Sequence, residues 1–179
     1  VKYSHEDLKD NMWVNTAELN GTQGVDDDGN GYKDDIYGLN AVDLNGDISW
    51  DVSYYNSKGE YAGDTGHGTH VAGIVAAENN NGIGVCGIAG GSGKGDGVKL
   101  MSIQIFKGND SATTSGLVRA MQYAADNGAH ISQNSWGYTS AEASGYPSYY
   151  LGPGNDKEYK QQLSSEAAAM DYFVKNGGS

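Results

Sequence analysis

The sequence predicts an α/β fold built on a parallel sheet. Two observations carry this expectation. Strand-like apolar segments alternate with segments at helical spacing, in the order strand, helix, strand, helix. The stretches joining them are long enough for the crossovers that parallel strands need. The 179 residues show no internal repeat and no linker. At roughly 100–200 residues per domain they are read as one unit, 1–179.

Residues 1–13 read as a loop entering a short helical turn that ends in Met12-Trp13. Residues 14–66 are rich in Gly, Asn, Asp and Tyr and show little periodicity. They are expected to be a long irregular surface region, of the kind that is usually functional or ion-bound. The small apolar run from Gly68 to Ala77 predicts a buried helix in which Gly73 allows close approach of a neighbour. Asn79-Asn80-Asn81-Gly82 ends it, since Asn and Gly tolerate the left-handed backbone of a helix C-terminus.

A second Gly-rich connection runs from Gly87 to Gly97. Val98–Phe106 reads as a strand. Residues 114–127 read as a helix, with Leu117, Met121 and Ala124 at spacings of three and four. Ala129–Asn134 is a short strand candidate, 138–154 a loop, and 156–176 the longest helix, stopped by Gly177-Gly178.

The charge balance excludes several function classes. Eleven basic residues face 23 acidic ones, for a net charge of −12. Nucleic acid and anionic membrane surfaces both select for Lys and Arg, so neither partner is expected. No apolar run approaches the ~18 residues of a transmembrane helix. The first residues mix polar and apolar types, unlike a signal peptide. The single Cys forbids an internal disulfide. Cys86 sits in the apolar run Ile83–Ile88 and is read as a small core residue.

The acidity is clustered in Asp26-Asp27-Asp28-Gly29-Asn30-Gly31-Tyr32-Lys33-Asp34-Asp35. Like charges so crowded raise the free energy unless a cation offsets them. Asp26, Asp28 and Asn30 place oxygens at alternating positions and Gly31 allows a sharp turn, the first half of a calcium-loop pattern. Tyr37 stands where an EF-hand has its bidentate Glu. This is therefore a different calcium loop, with the Tyr32 carbonyl and Asp34 or Asp35 completing the shell.

The densest chemical signal is Gly66-His67-Gly68-Thr69-His70-Val71-Ala72-Gly73. A histidine flanked by glycines at a helix start is sterically open, and an imidazole with a pKa near ~6.5 suits proton transfer at neutral pH. His67 and His70 lack the spacing and third ligand of a helical zinc site. Gly91-Ser92-Gly93-Lys94-Gly95 is not a phosphate loop, because Ile88 and Gly95 occupy positions that need Gly and Ser or Thr.

The run His67–Gly73 is complete for the histidine motif of the subtilisin-like serine peptidases, the subtilases, and the chain resembles that family. Two further strings agree in order and spacing. Tyr3-Ser4-His5-Glu6-Asp7-Leu8 is similar to the segment after the family's catalytic aspartate, and Gln133-Asn134-Ser135-Trp136-Gly137 to its substrate-binding strand. The resemblance implies a partial three-layer fold, a parallel sheet with helices on both faces, and makes 1–179 the central portion of a peptidase domain.

It also implies roles. His67 is the general base. Ser135, Trp136 and Gly137 line the first specificity pocket, and Asp110, Ser111 and Ala112 form the opposite edge of a cleft that holds an extended polypeptide by strand addition. A second calcium site is implied at Asp7, an Asn of the Asn79–Asn81 run assigned as Asn80, and the carbonyls of Glu78, Ile83 and Val85.

The family's triad aspartate aligns three residues before Val1, and its Gly-Thr-Ser-x-Ala serine motif does not occur between 1 and 179. Asp64-Thr65-Gly66 has no apolar strand before it and is not assigned as the triad acid. The expectation is a segment of a secreted, calcium-stabilised serine endopeptidase that is inactive by itself. The alternatives are a non-catalytic, calcium-dependent peptide-binding module, or a segment completed by another chain.

Overall fold

The computed structural model describes residues 1–64, 66–136 and 157–179. The chain divides into two compact units, Val1–Gly116 and Leu117–Ser179, and each is described by itself.

The first unit opens on a loop that leads into a single 3-10 turn, Lys9–Asn11, and a short helix α1, Thr16–Leu19. Asn15 caps α1 by accepting from the Ala17 N–H, as Asn does at helix starts. Strand β1, Gly38–Asn40, pairs in parallel with β4, Ser102–Gln104, in the register Gly38 with Ser102 and Asn40 with Gln104. A parallel bridge between Met12 and Leu100 continues this ladder.

All three β1 residues are buried, which suits a strand covered on both faces. Gly38 has φ +132 and lies against the Ser102 backbone, where a Cβ would collide. The buried polar side chains here are paired. Asn40 donates to the Asp47 carbonyl and accepts from Val42 and Asp43 N–H. Gln104 accepts from Ser49 N–H and donates to the Phe106 carbonyl.

Beside the ladder, Leu8, Met12 and Ala72 form a core lined by Tyr3, Tyr37 and Leu100. Tyr3 stacks on Tyr37 at 4.3 Å and meets Trp50 edge-on at 4.9 Å. Asn11, fully buried, donates to the carbonyls of Ala76 and Gly90 and so ties the 3-10 turn to the end of helix α2, His67–Ala76. Helix α2 buries Ala72 and Ala76 only. Ile74 is 55% exposed, and a Cβ built at Gly73 meets nothing within 4 Å. The expected close approach at Gly73 is therefore not made among the described residues, although Gly73 itself is half-buried. Cys86 is exposed rather than in the core; Ile83, Val85 and Ile88 of its loop are exposed too.

The region 14–66 is less irregular than expected. It contains an antiparallel hairpin, β2 (Ser53–Tyr55) with β3 (Tyr61–Asp64). The Asn56 side chain holds the turn by accepting from Lys58 and Glu60 N–H, and Gly59 supplies the positive φ of +75. The expected strand 98–106 narrows to β4, followed by a second hairpin, β5 (Phe106–Lys107) with β6 (Asp110–Ser111). Lys107 Nζ reaches Asp43 at 2.6 Å; that carboxylate raises the lysine pKa through its hydrogen bond and charge.

Helix α3, Thr114–Asp126, begins at the end of the first unit. In the second, Ala120, Tyr123, Ala124, Ala169 and Phe173 are buried. Tyr172, on helix α4 (Lys157–Lys175), donates its hydroxyl to Asp126 at 2.6 Å. No strand covers 129–134 among the described residues. Ser132 N–H donates to the Ser179 carbonyl, and Ser179 N–H to that of His130. A strand needs a partner strand, and the described part of this unit holds none. The loop expected at 138–154 lies outside the described residues.

Candidate active site and cation loop

His67 opens α2 and is exposed. The residue before it, Gly66, is the N-cap, and its carbonyl accepts from His70 N–H. With glycine on both sides, nothing bulkier than a hydrogen crowds the imidazole along the chain. Thr69, one residue beyond Gly68, accepts from Lys2 N–H and fixes the first turn of the helix. The arrangement presents a solvent-facing imidazole on a pinned helical turn, which is what a general base that meets a substrate requires.

Of the expected cleft edges, Asp110 and Ser111 form β6 and are exposed, and Ala112 N–H donates to the Ile105 carbonyl. Ser135 is exposed and Trp136 half-buried. Gln133 donates to Ser135 Oγ, and the Trp136 indole to Asn134 Oδ1. These two residues belong to the second unit; Gly137 lies outside the described residues.

The acidic loop is organised around a residue that the sequence pattern did not indicate. Glu18, on α1, is 5% exposed. Its Oε1 accepts from Asp27 and Asp28 N–H, and its Oε2 from Asp34 N–H. Glu18, Asp28 and Asp35 bring one carboxylate oxygen each to within 4.8 Å of one another. Asp35 is fully buried. The Asn30 amide donates to Asp28 and Asp35, and that of Asn15, the cap of α1, does the same.

Asp26 and Asp34 have other work. Asp26 accepts from Gly29, Asn30 and Gly31 N–H, and these bonds, the Gly31 one foremost, hold its pKa below the usual carboxylate value. Asp34, at φ +54, accepts from Gly24 N–H. Tyr32 N–H donates to Asn30 Oδ1. The structure thus gathers Asp28, Asn30 and Asp35 of the expected set, adds Glu18, and turns Asp26 and Asp34 to the backbone. A faint signal for Glu18 exists: Asn15-Thr16-Ala17-Glu18 has the spacing of a capping box.

At the second expected cation site, Asp7 is buried. Its carboxylate accepts from the Asn81 amide at 2.8 Å and from Val85 N–H at 2.9 Å. Glu78 N–H donates to the Asp7 carbonyl, and Ile83 N–H to Asn81 Oδ1. Within the asparagine run, the side chain that meets Asp7 is Asn81, while Asn80 reaches the Ser92 carbonyl.

The sequence of the chain matches a known family. The profile described as the Subtilase family covers residues 1–178, and the chain belongs to that family. Its fold is a partial subtilisin-like α/β fold. The chain is 35% identical to subtilisin-like protease 1 of Plasmodium vivax over 138 residues, 77% of this chain and 19% of that protein. It is 49% identical to the namesake from Plasmodium berghei (strain Anka) over 88 residues, 49% of this chain and 12% of that protein. A bacterial relative, alkaline elastase YaB of Bacillus sp., is 35% identical over 104 residues, 58% of this chain and 25% of the elastase. The chain therefore spans a quarter or less of the length of these relatives.

Proposed function

We propose that this chain is a segment of a secreted serine endopeptidase that cleaves extended polypeptides, with His67 as its general base. The observation that carries the proposal is an exposed His67 on the first turn of α2, within a motif that the subtilase family uses for proton transfer. In that role the imidazole removes the proton from a serine hydroxyl as the oxygen attacks the scissile carbonyl. It then delivers the proton to the leaving amine. Asp110, Ser111 and Ala112 would pair with the substrate backbone by strand addition, and Ser135, Trp136 and Gly137 take the same role from the family resemblance, each segment by itself.

Calcium is the second part of the proposal. The donor set suits it: Glu18, Asp28 and Asp35 offer hard carboxylate oxygens close together, two of these residues being buried. Uncompensated like charges there are costly. Glu18, Asp28, Asn30 and Asp35 would hold the ion, which would offset their repulsion and hold α1 to the loop. Asp7 with Asn81 and the loop 78–85 would hold a second. Sites of this kind load at the calcium levels found outside cells.

The test is hydrolysis of a long peptide by the full-length protein carrying this segment. His67→Ala should lower kcat/KM by about 10⁴-fold or more with the fold retained, the scale on which loss of a triad residue acts. Turnover unchanged in that variant removes the general-base role. Binding of the peptide without any cleavage by the natural protein would instead make the chain a peptide-binding module.

A further inference from the structure

The β2–β3 hairpin lies between the acidic loop and α2 in sequence, and no role above uses it. Tyr54, Tyr55 and Tyr61 are all exposed, and the two most exposed, Tyr55 and Tyr61 at 49% and 60%, meet edge-on at 6.2 Å. Tyr54 pairs with Gly63 across the ladder and lays its ring beside it. Two independent contacts join it to the β5–β6 turn. Asn109 Oδ1 accepts from Tyr55 N–H at 2.9 Å, and Asn109 Nδ2 donates to the Tyr55 carbonyl at 2.6 Å. One carboxamide thus pairs with both backbone groups of Tyr55, as a neighbouring strand residue would. Next to it, Gly108 at φ +58 sits so close to Val52 and the Ser53 carbonyl that a Cβ would be 2.9 and 3.0 Å from them.

Asn109 directly precedes Asp110–Ala112, and β3 ends three residues before His67. The hairpin is therefore held on its flank against the turn that leads into Asp110–Ala112.

We infer that Asn109 is a positioning residue, holding the Tyr55–Tyr61 ridge beside the cleft edge so that it contacts apolar substrate side chains remote from the scissile bond. The inference rests on the reading of Asp110–Ala112 as a cleft edge in the endopeptidase proposed above. The gain is pre-organisation: a ridge already held in place binds without paying the entropy of ordering. Because these contacts lie away from the reacting atoms, their loss should fall on substrates long enough to reach them.

The experiment compares two chromogenic substrates of the full-length protein, a short amide and a hexapeptide extended with apolar residues. Asn109→Ala should raise KM for the hexapeptide by about fivefold or more with little change in kcat, so that the long-to-short ratio of kcat/KM falls by the same factor. Tyr61→Ala, which leaves the Asn109 bonds in place, should shift the ratio in the same direction and serves if the Asn109 variant misfolds. Equal losses on both substrates, or none, would overturn the inference while leaving the endopeptidase reading intact. A natural protein that cleaves neither substrate sinks both.

Discussion

Glu18 illustrates how a site can be half-written in a local pattern. The alternation of Asp26, Asp28 and Asn30 predicts a cation loop, and two of these three face the carboxylate cluster. Glu18 stands eight residues upstream of Asp26, and only the fold of α1 against the loop brings it in. Asp26 stood first in the pattern, yet its oxygens are taken by three backbone N–H groups, because a tight turn of glycines leaves donors that some acceptor must meet. The triple asparagine likewise could not tell which amide faces Asp7; the structure gives that contact to Asn81, next to the left-handed Asn80 at φ +60.

The proposed calcium sites give this scale its prediction. At calcium about 100-fold above the Kd of such a site, binding would add about 2.7 kcal/mol, a rise in Tm of about 5–10 °C for a chain of this size. Glu18→Gln should lose most of the increment from the acidic loop and keep that from the Asp7 site, whereas Asp7→Asn should do the reverse. Calorimetry with calcium and with chelator checks both. A melting temperature indifferent to chelator would remove both metal assignments.

Among the elements, helices were legible and short strands were not. Helices α2, α3 and α4 fall where periodicity and glycine stops place them, since each spans several turns and repeats its signal. The β2–β3 hairpin was readable in principle: an aromatic run, then an Asn-to-Gly turn, then another tyrosine. Three or four residues per strand gave the alternation no room to show. The 98–106 run was over-read at both ends: Leu100 makes only a single bridge, to Met12, and Phe106 already belongs to a separate hairpin paired with Ser111, and those partners lie outside the run.

Parallel pairing of β1 with β4 depends on Gly38, whose φ of +132 and closeness to Ser102 admit no side chain. Gly38→Ala should therefore cost about 2–4 kcal/mol, from strain and overpacking together. A fall in the urea midpoint at constant m-value would show it. A midpoint within error of the natural protein would mean that the ladder yields more easily than the geometry allows.

At the scale of the whole molecule, the family was legible because its histidine motif is a contiguous string, whereas the substrate-binding segments were expected only through the resemblance. Residues 110–112 belong to the first unit and 135–136 to the second, and each segment was inferred from residues that mean little alone. The subtilase profile matches nearly the whole chain, and the fold places His67 in the open, so the account stands or falls on whether this histidine activates a serine. The most direct measurement is labelling of the full-length protein by a fluorophosphonate, with the modified residue mapped by mass spectrometry. The account predicts one labelled serine, with a labelling rate that falls by about 10²-fold or more in His67→Ala, since the hydroxyl then has no base. Labelling at an equal rate in the variant, or no labelled serine in the natural protein, would contradict it.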